Sequence, residues 1–395
     1  MSANKRIGLS LITGLLLSGI ALYVTFKNIP LTGLAGYLKT VNYWWVIPAM
    51  AIGLMGFFIR VVRWQVLLDP VKKIGFGSAY HPLMIGFMLN CILPGRIGEL
   101  ARPAIFCKKE RVAFSKVLAT VGAERVFDVA VLLLSFVIVL AVVEINPALD
   151  LTFGNYHINK SILETIGMTT LKLCVALIAC IVLMSIRQSH RLIKRTILSL
   201  PALFFFAGNP LKEKIREKLC LKLIRILDNV AAGLDLLKSP KKVGLCLALS
   251  FLVWVMAGGS YYVMAFGCPG IELSFLEMYA MMVIICFFIS LPSAPGFWGL
   301  WEAGGVFGLL IFGVPHMEAR GFTLTSHVVQ MAPVIIMGLV SAIITGVSIV
   351  QVSRTGIENR PRGKRTRIEI NQDVHMEKVS HEYLEDCGVH GNSVD

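Results

Sequence analysis

The amino-acid sequence predicts an all-α polytopic membrane protein with about six full spans and two re-entrant hairpins related as an inverted repeat. Composition is the first reason, since 56% of the 395 residues are hydrophobic, only 16% are charged and the mean hydropathy is +0.72. Soluble domains contain about 25% charged residues. The second reason is a series of apolar runs long enough to cross a bilayer. The third is a proline- and glycine-containing break in two apolar segments.

The first element is an apolar run at residues 7–26, preceded by Lys5 and Arg6. This charge pattern resembles a signal peptide, but the run is long enough to span and no A-x-A cleavage site follows it. We therefore expect an uncleaved first helix. The other predicted spans are residues 44–62, 129–143 with a polar lead-in from about 115, 168–186, 242–265 and 326–350.

Two further apolar segments, residues 80–106 and 275–313, contain the breaks. Basic residues before and after the first segment place both its ends in the cytoplasm. It is therefore predicted to be a re-entrant hairpin, and the second is predicted to dip in from the outside. Paired breaks in the two halves of a transporter indicate its binding site. The predicted turns contain Pro94, Gly95 and Gly98 in the first segment and Pro292, Pro295, Gly296 and Gly299 in the second.

The formal net charge of +14 does not indicate nucleic-acid binding, because most lysines and arginines fall in segments predicted to be cytoplasmic. Both termini are predicted to lie in the cytoplasm, in a multi-pass protein of the cell membrane. Residues 44–143 and 242–350 then run span, hairpin, span in opposite directions, which is an inverted repeat. Two breaks that arose independently in ordinary helices are the alternative.

The transmembrane domain is predicted to occupy residues 1–353. Within it, residues 187–241 form a basic cytoplasmic segment with apolar residues at helical spacing over 211–238. This helix is predicted to lie on the bilayer surface or on the protein's own loops. The polar tail, residues 354–395, is predicted to be disordered, with its basic run near anionic lipid headgroups.

Charged residues follow the first break at three-residue spacing: Arg96, Glu99 and Arg102. On one face of a helix that begins there, two guanidiniums beside free backbone donors would bind an anion such as phosphate. The alternative is an internal Arg–Glu–Arg network that neutralises itself. A second charged group at the start of the next span comprises Glu124, Arg125 and Asp128. These residues would complete the cavity and exchange ion pairs with Arg96 and Arg102. The alternative is that they are interfacial charges near the cytoplasmic surface.

Glu302 follows the second break and is the only charged residue between Glu277 and Glu318. An isolated carboxylate within a membrane is typical of a proton or cation site, or of a partner for an arginine. Trp298 and Trp301 flank it and are predicted to anchor the hairpin at the membrane interface. Snorkelling and an aromatic belt are expected to explain the group that ends the second span, with binding of a lipid headgroup as the alternative; the group comprises Arg60, Arg63 and Trp64.

These motifs resemble the flippase-like membrane family of the lysylphosphatidylglycerol synthase transmembrane domain over about residues 5–350. The resemblance implies re-entrant elements, movement of lipids between leaflets, and a place for Asn90 in the binding site. Two departures are Phe297, where the family often has a glycine, and the absence of a soluble aminoacyl-transferase domain after residue 350. The matching stretches are Arg60-x-x-Arg63-Trp64, Asn90-x-x-Leu93-Pro94-Gly95-Arg96-x-Gly98-Glu99-x-x-Arg102, Glu124-Arg125-x-x-Asp128 and Pro292-x-x-Pro295-Gly296-x-x-Gly299-x-x-Glu302.

Together the motifs predict transbilayer movement of an anionic phospholipid, glycolipid or lipid-linked intermediate, not an enzyme. The substrate-binding residues would be Asn90, Arg96, Glu99, Arg102, Glu124, Arg125, Asp128 and Glu302. No P-loop motif is present, so the lipid gradient, ions at Glu302 or a partner would supply the energy. A lipid-modifying enzyme, such as a glycosyltransferase, and an ion-coupled anion transporter are the alternatives. No cofactor or metal is expected, and a homo-oligomer or a partner lipid-biosynthesis enzyme is compatible with the pattern.

Overall fold

The computed structural model describes residues 3–27, 30–93, 96–142, 151–153, 156–158, 168–169, 172, 196–197 and 239–347. The helices described below belong to one compact unit, residues 1–349. Several predictions lie outside the described residues. They concern the turn at Pro94 and Gly95, most of the span at 168–186, most of the segment at 187–241, and the tail at 354–395.

The described part of the chain is helical except for one short antiparallel pair of strands, Leu151–Phe153 and Tyr156–Ile158, which the sequence did not predict. Two short 3-10 helices, Tyr43–Trp45 and Pro295–Phe297, accompany the α-helices. The described residues form ten α-helices: α1 (Ala3–Phe26), α2 (Leu31–Thr40), α3 (Val46–Leu68), α4 (Phe76–Ile92), α5 (Gly98–Glu110), α6 (Phe114–Val142), α7 (Pro240–Ala265), α8 (Phe275–Ser290), α9 (Leu300–Ile311) and α10 (His316–Thr345).

Three helical stretches of the described chain are long and apolar enough to cross a membrane. They are Tyr43–Leu68, α7 and α10, which contain the predicted spans at 44–62 and 242–265 and most of the one at 326–350. A fourth span forms if the bent pair Thr13–Phe26 and Leu31–Thr40, which meet at 81°, is counted as one. The protein is therefore a helical membrane protein.

The first broken segment folds into two helices that pack directly on each other. Gly98 begins α5, instead of lying in the turn as predicted, and its Cα faces the backbone of Gly86 on α4. A Cβ added at Gly98 would lie only 1.8 Å from the Gly86 carbonyl oxygen and 2.6 Å from Oδ1 of Asn90. Glycine is needed here because the two backbones occupy the space that a side chain would need.

The second broken segment has the same form, since α8 and α9 also pack on each other and the chain between them is not helical. The predicted break is confirmed: α8 ends at Ser290, and Pro292, Pro295, Gly296 and Gly299 all precede α9. Gly296 and Gly299 have positive φ angles of 70° and 90°. The turn thus depends on backbone conformations that glycine adopts without steric cost.

Packing between helices places the two broken segments at the centre of the described unit. α3 packs along α7, while α10 packs against α4 and α9, and α6 packs against α5 and α8. Large apolar side chains such as Phe58 and Ile343 point outward, and Ile343 is 80% exposed. An apolar exterior around polar interior groups is the arrangement expected of a protein solvated by lipid.

Candidate functional site

A group of buried ion pairs, centred on Arg63, joins α3, α6 and α7. The Arg63 side chain has no exposed surface, and its guanidinium donates to both carboxylate oxygens of Asp128, at 2.5 Å and 3.2 Å. It also lies 3.0 Å from Glu124 and donates to the hydroxyl of Ser250 at 2.6 Å. A bidentate Arg–carboxylate pair with further hydrogen bonds is the geometry that compensates best for burying two charges.

Arg102 connects α5 to the same group. Its guanidinium lies 2.9 Å from Oε2 of Glu124 and 3.7 Å from the centre of the Trp64 ring, while Trp64 donates from Nε1 to Thr120 at 3.1 Å. Glu124 therefore sits between Arg63 and Arg102. An Arg–Glu–Arg network is present, and it consists of Arg63, Glu124 and Arg102. The network considered from the sequence had Arg96 and Glu99 in place of Arg63 and Glu124.

The expectation that Arg63 snorkels and that Trp64 belongs to an interfacial belt is wrong, because both side chains are fully buried. Arg60, one turn earlier, is close to this group, with a guanidinium nitrogen 3.7 Å from Asp128. It also faces the aromatic rings of Phe87 and Trp254, at 5.5 Å and 5.2 Å from their centres. The end of α3 thus supplies two cations to the interior of the protein.

Within the described residues, positive charge exceeds negative charge in this group, which we call the arginine cluster. Four guanidiniums, those of Arg60, Arg63, Arg102 and Arg125, surround only two carboxylates, those of Glu124 and Asp128. Among the described residues, no hydrogen-bond partner faces the buried Nε atoms of Arg63, Arg102 and Arg125. Surplus charge and unused donors are costly in an interior, so the arginine cluster has the chemistry of an anion site.

A cavity of about 350 Å³ opens beside the arginine cluster, between α5 and α6. Arg125 links the two, because its guanidinium contacts Glu124 at 3.1 Å and Asp128 at 3.6 Å while 35% of its side chain remains exposed. The cavity wall thus combines apolar residues with two arginines and one glutamate, and its charged residues carry a net positive charge. Its lining consists of Arg96, Glu99, Leu100, Leu118, Val121, Gly122 and Arg125.

Arg96 does not share a helix face with Arg102, contrary to the prediction from their spacing. α5 begins only at Gly98, and Arg96 precedes it with a positive φ of 52°. Its side chain therefore turns towards the other broken segment, where it donates to the carbonyl of Ile289 at 2.7 Å and lies 5.9 Å from the ring of Phe297. Arg96 and Glu99 line the cavity, while Arg102 is buried in the arginine cluster.

Glu302 forms a second buried polar site together with His327 of α10, and both side chains have no exposed surface. Oε1 of Glu302 lies 2.5 Å from Nδ1 of His327, and Oε2 accepts from the backbone N–H of Gly299 at 2.6 Å. On the other side of the ring, Nε2 of His327 donates to the carbonyl of Gly296 at 2.9 Å. The partner of Glu302 is a histidine that the sequence analysis did not single out.

The tryptophans beside Glu302 enclose this histidine, although they were predicted to anchor the hairpin at the interface. Trp301 stacks on the His327 ring at 4.5 Å with an interplanar angle of 4°, and Trp298 lies 4.4 Å away. Of the two, Trp298 is 38% exposed. A histidine in the middle of an apolar helix, in a chain with one isolated carboxylate, is the sequence signal that could have indicated this pair.

The fold and the two buried sites define a class: polytopic helical membrane proteins with ionised side chains held inside the bundle. A family model described as the lysylphosphatidylglycerol synthase TM region matches residues 11–338. The chain therefore belongs to this family, and the resemblance found in the sequence is confirmed. No curated protein sequence matches the chain. The family places the protein in a membrane, lipid-related context.

Proposed function

We propose that the protein moves an anionic lipid or lipid-linked intermediate between the two leaflets of the cell membrane. The observation that supports this most is the cavity between α5 and α6, which combines cationic and apolar walls. Arg96 and Arg125 would hold the headgroup phosphate, because guanidiniums bind phosphate bidentately. Leu100, Leu118 and Val121 would contact the upper part of the acyl chains.

The arginine cluster explains how phosphate would be attracted into a low-dielectric region. Two surplus positive charges beside the cavity act over a short distance that neither water nor salt screens well. Arg102 and Glu124 hold this charge in place but are buried behind the cavity wall, so we assign them to positioning and assign Arg96 and Arg125 to contact with the headgroup.

An inverted repeat with two re-entrant segments is the architecture that we propose for this transport. The helix contacts support it, since nearly every contact in one half has a counterpart in the other. α3 on α4 corresponds to α7 on α8, α5 on α6 corresponds to α9 on α10, and α4 on α10 corresponds to α8 on α6. The two turns also share the pattern Pro-Gly-x-x-Gly, and their third residues, Arg96 and Phe297, contact each other.

In this architecture six spans and two hairpins place both termini in the cytoplasm, and the chain itself catalyses no covalent step. Lipid is the substrate, anionic headgroups bind the basic cytoplasmic segments, and assembly with a second copy or with a lipid-biosynthesis enzyme remains compatible with the exposed apolar surface. Alternating access in such repeats comes from movement of one half against the other.

The test uses the full-length protein in vesicles that contain a fluorescent phosphatidylglycerol, with a membrane-impermeant quencher that reports lipid reaching the outer leaflet. We expect Arg125→Gln and Arg96→Gln to slow movement about tenfold, because each removes a charge-assisted bond to phosphate. Lys109→Gln, an exposed cation at the end of α5, should have the wild-type rate. Wild-type rates in both arginine variants would refute the headgroup site.

The same vesicles separate the alternatives. Chemical conversion of the labelled lipid, read by chromatography, would indicate an enzyme. Uptake of inorganic phosphate without lipid movement would indicate an anion transporter. Arg125→Gln also disturbs the arginine cluster, so the exposed Arg96 provides the variant least expected to affect folding.

A further inference from the structure

We propose that Glu302 and His327 form a proton-binding site that fastens the second turn to α10 and couples lipid movement to protons. The coupling rests on the proposed function, whereas the proton site itself rests only on the geometry of the dyad. Each of its hydrogen-bonding atoms can be assigned a role, and the assignment leaves one proton shared between the two residues.

Three contacts fix that assignment. The carbonyl of Gly296 has no hydrogen, so Nε2 of His327 must carry one and donate it. Oε2 of Glu302 accepts from the N–H of Gly299. The remaining contact, between Nδ1 and Oε1 at 2.5 Å, requires one proton, either on the imidazole or on the carboxyl. Without that proton two lone pairs would face each other at this distance.

The shared proton therefore stabilises a connection between three parts of the protein. Glu302 is on α9 and His327 on α10, while Gly296 and Gly299 belong to the turn between α8 and α9. Both glycines have positive φ, and the turn has a short 3-10 hydrogen bond of its own, which Phe297 N–H donates to the carbonyl of Ala294 at 3.0 Å. Loss of the shared proton removes the Nδ1–Oε1 bond and adds repulsion between Glu302 and His327. The turn is then held to α10 by the single bond from Nε2 of His327 to Gly296.

Around the dyad, the described part of the chain contains no competing ion pair. Trp298, which is partly exposed, separates His327 from the exterior. Tyr261 of α7 lies against Trp301 and interacts electrostatically with Glu302, and Cys286 of α8 interacts with Tyr261.

The neighbouring elements on the other side contribute one cation. α1 presents the backbone of Ser18 to Gly299, and α4 presents the carbonyl of Cys91 to Gly296. Arg96 reaches the turn through the ring of Phe297. Arg96 is also a wall of the lipid cavity. Opening of the second turn would thus change the position of Arg96 in the wall of the headgroup site.

The first experiment requires no lipid transport. Tryptophan emission of the purified protein is recorded against pH, because loss of the shared proton, from either residue, changes the charge beside the two tryptophans that pack on the His327 ring. We expect wild type and His316→Gln, an exposed histidine on the same helix, to show a step. Glu302→Gln and His327→Gln should lack it, since glutamine keeps hydrogen bonds without a titrating proton. An identical step in all four proteins would overturn the proton site.

The second experiment measures the ratio of lipid movement with and without a pH gradient in the same vesicles. For one proton per lipid, a gradient of one pH unit should change the final distribution between leaflets about tenfold. In Glu302→Gln this ratio should fall to one, whatever the basal rate. Wild-type movement that ignores the gradient refutes the coupling. No movement by wild type, with the fluorescence step retained, refutes the proposed function and leaves the proton site standing.

Discussion

Two pairs of packed helices, α3 with α6 and α7 with α10, are joined by different chemistry. In the first half of the chain, Arg63 of α3 binds Asp128 of α6 through two charged hydrogen bonds. In the second half, α7 and α10 are joined by a neutral bond from Gln330 to Ser260, at 2.7 Å. Similar packing thus supports an arginine-rich interior in one half and a neutral one in the other.

The hairpins differ in the same way. α5 presents Arg102 to Glu124, an ion pair within a cluster that has surplus positive charge, whereas α9 presents Glu302 to His327, a pair that shares one proton. A repeat that kept its packing and changed its charges could assign anion binding to one half and proton binding to the other. The following variants test this division of roles.

The largest effect is expected for Arg63→Met, which breaks the arginine cluster. It leaves Asp128 without its bidentate partner in a fully buried position, and losing one member of a buried ion pair costs about 3–5 kcal/mol. The measurement is reversible unfolding in mixed detergent micelles. Lys72→Met removes an exposed partner of Glu110 and should cost less than about 1 kcal/mol. Equal effects of the two changes would contradict the central role of Arg63.

Gly98→Ala should come next, at about 1–3 kcal/mol or more, because the added Cβ meets the backbone of α4. Gly305→Ala in the second half meets the Thr323 side chain at 2.5 Å, which can shift more easily than backbone, so its cost should be smaller. Gly122→Ala, with open space around it, is the control. The unfolding midpoint should be highest for Gly122→Ala, lower for Gly305→Ala and lowest for Gly98→Ala. The reverse order would contradict the contrast between backbone and side-chain contacts.

The position of these groups shows what the sequence could and could not predict. Both breaks and the acidic partners Glu124 and Asp128 were visible, because proline, glycine and charges in apolar runs are costly and stand out. Arg96 was placed wrongly because a non-glycine residue with positive φ has no reliable sequence signal. Arg63 and His327 were missed or misjudged because burial depends on helix packing, which spacing along one helix does not fix.

A smaller effect is expected for Ser260→Ala, which leaves Gln330 without its neutral partner and removes the bond that Ser260 donates to the carbonyl of Ala49 at 2.7 Å. Each such bond contributes about 0.5–1.5 kcal/mol, so the loss stays below that expected for Arg63→Met. The double variant Ser260→Ala with Gln330→Leu should recover the part of the loss that comes from the unpaired Gln330, since replacing both partners of a bond by apolar groups is nearly neutral. A loss as large as that of Arg63→Met would show that the two connections are energetically alike.

The smallest effect concerns Lys242 of α7 and Asp69, just after α3, whose hydrogen bond lowers the pKa of Asp69. This contribution is present above the unfolded-state pKa of Asp69 and is lost as pH falls through the lower folded-state value. The side chains are 40% and 31% exposed, so Lys242→Met should cost only a few tenths of a kcal/mol, about 0.2–1 at most. Unfolding at neutral and acidic pH should show the difference only at neutral pH.

The close approach of Gly98 to Gly86 has a mechanical consequence. With no side chain between them, α4 and α5 are in direct backbone contact, which separation or rotation of the two helices would break. In the proposed function, the widening that admits a headgroup would therefore occur between α5 and α6, where Arg125 belongs to both the cavity wall and the arginine cluster. Gly86 and Gly98, which allow α4 and α5 to pack in backbone contact, thus favour separation at the boundary between α5 and α6 instead.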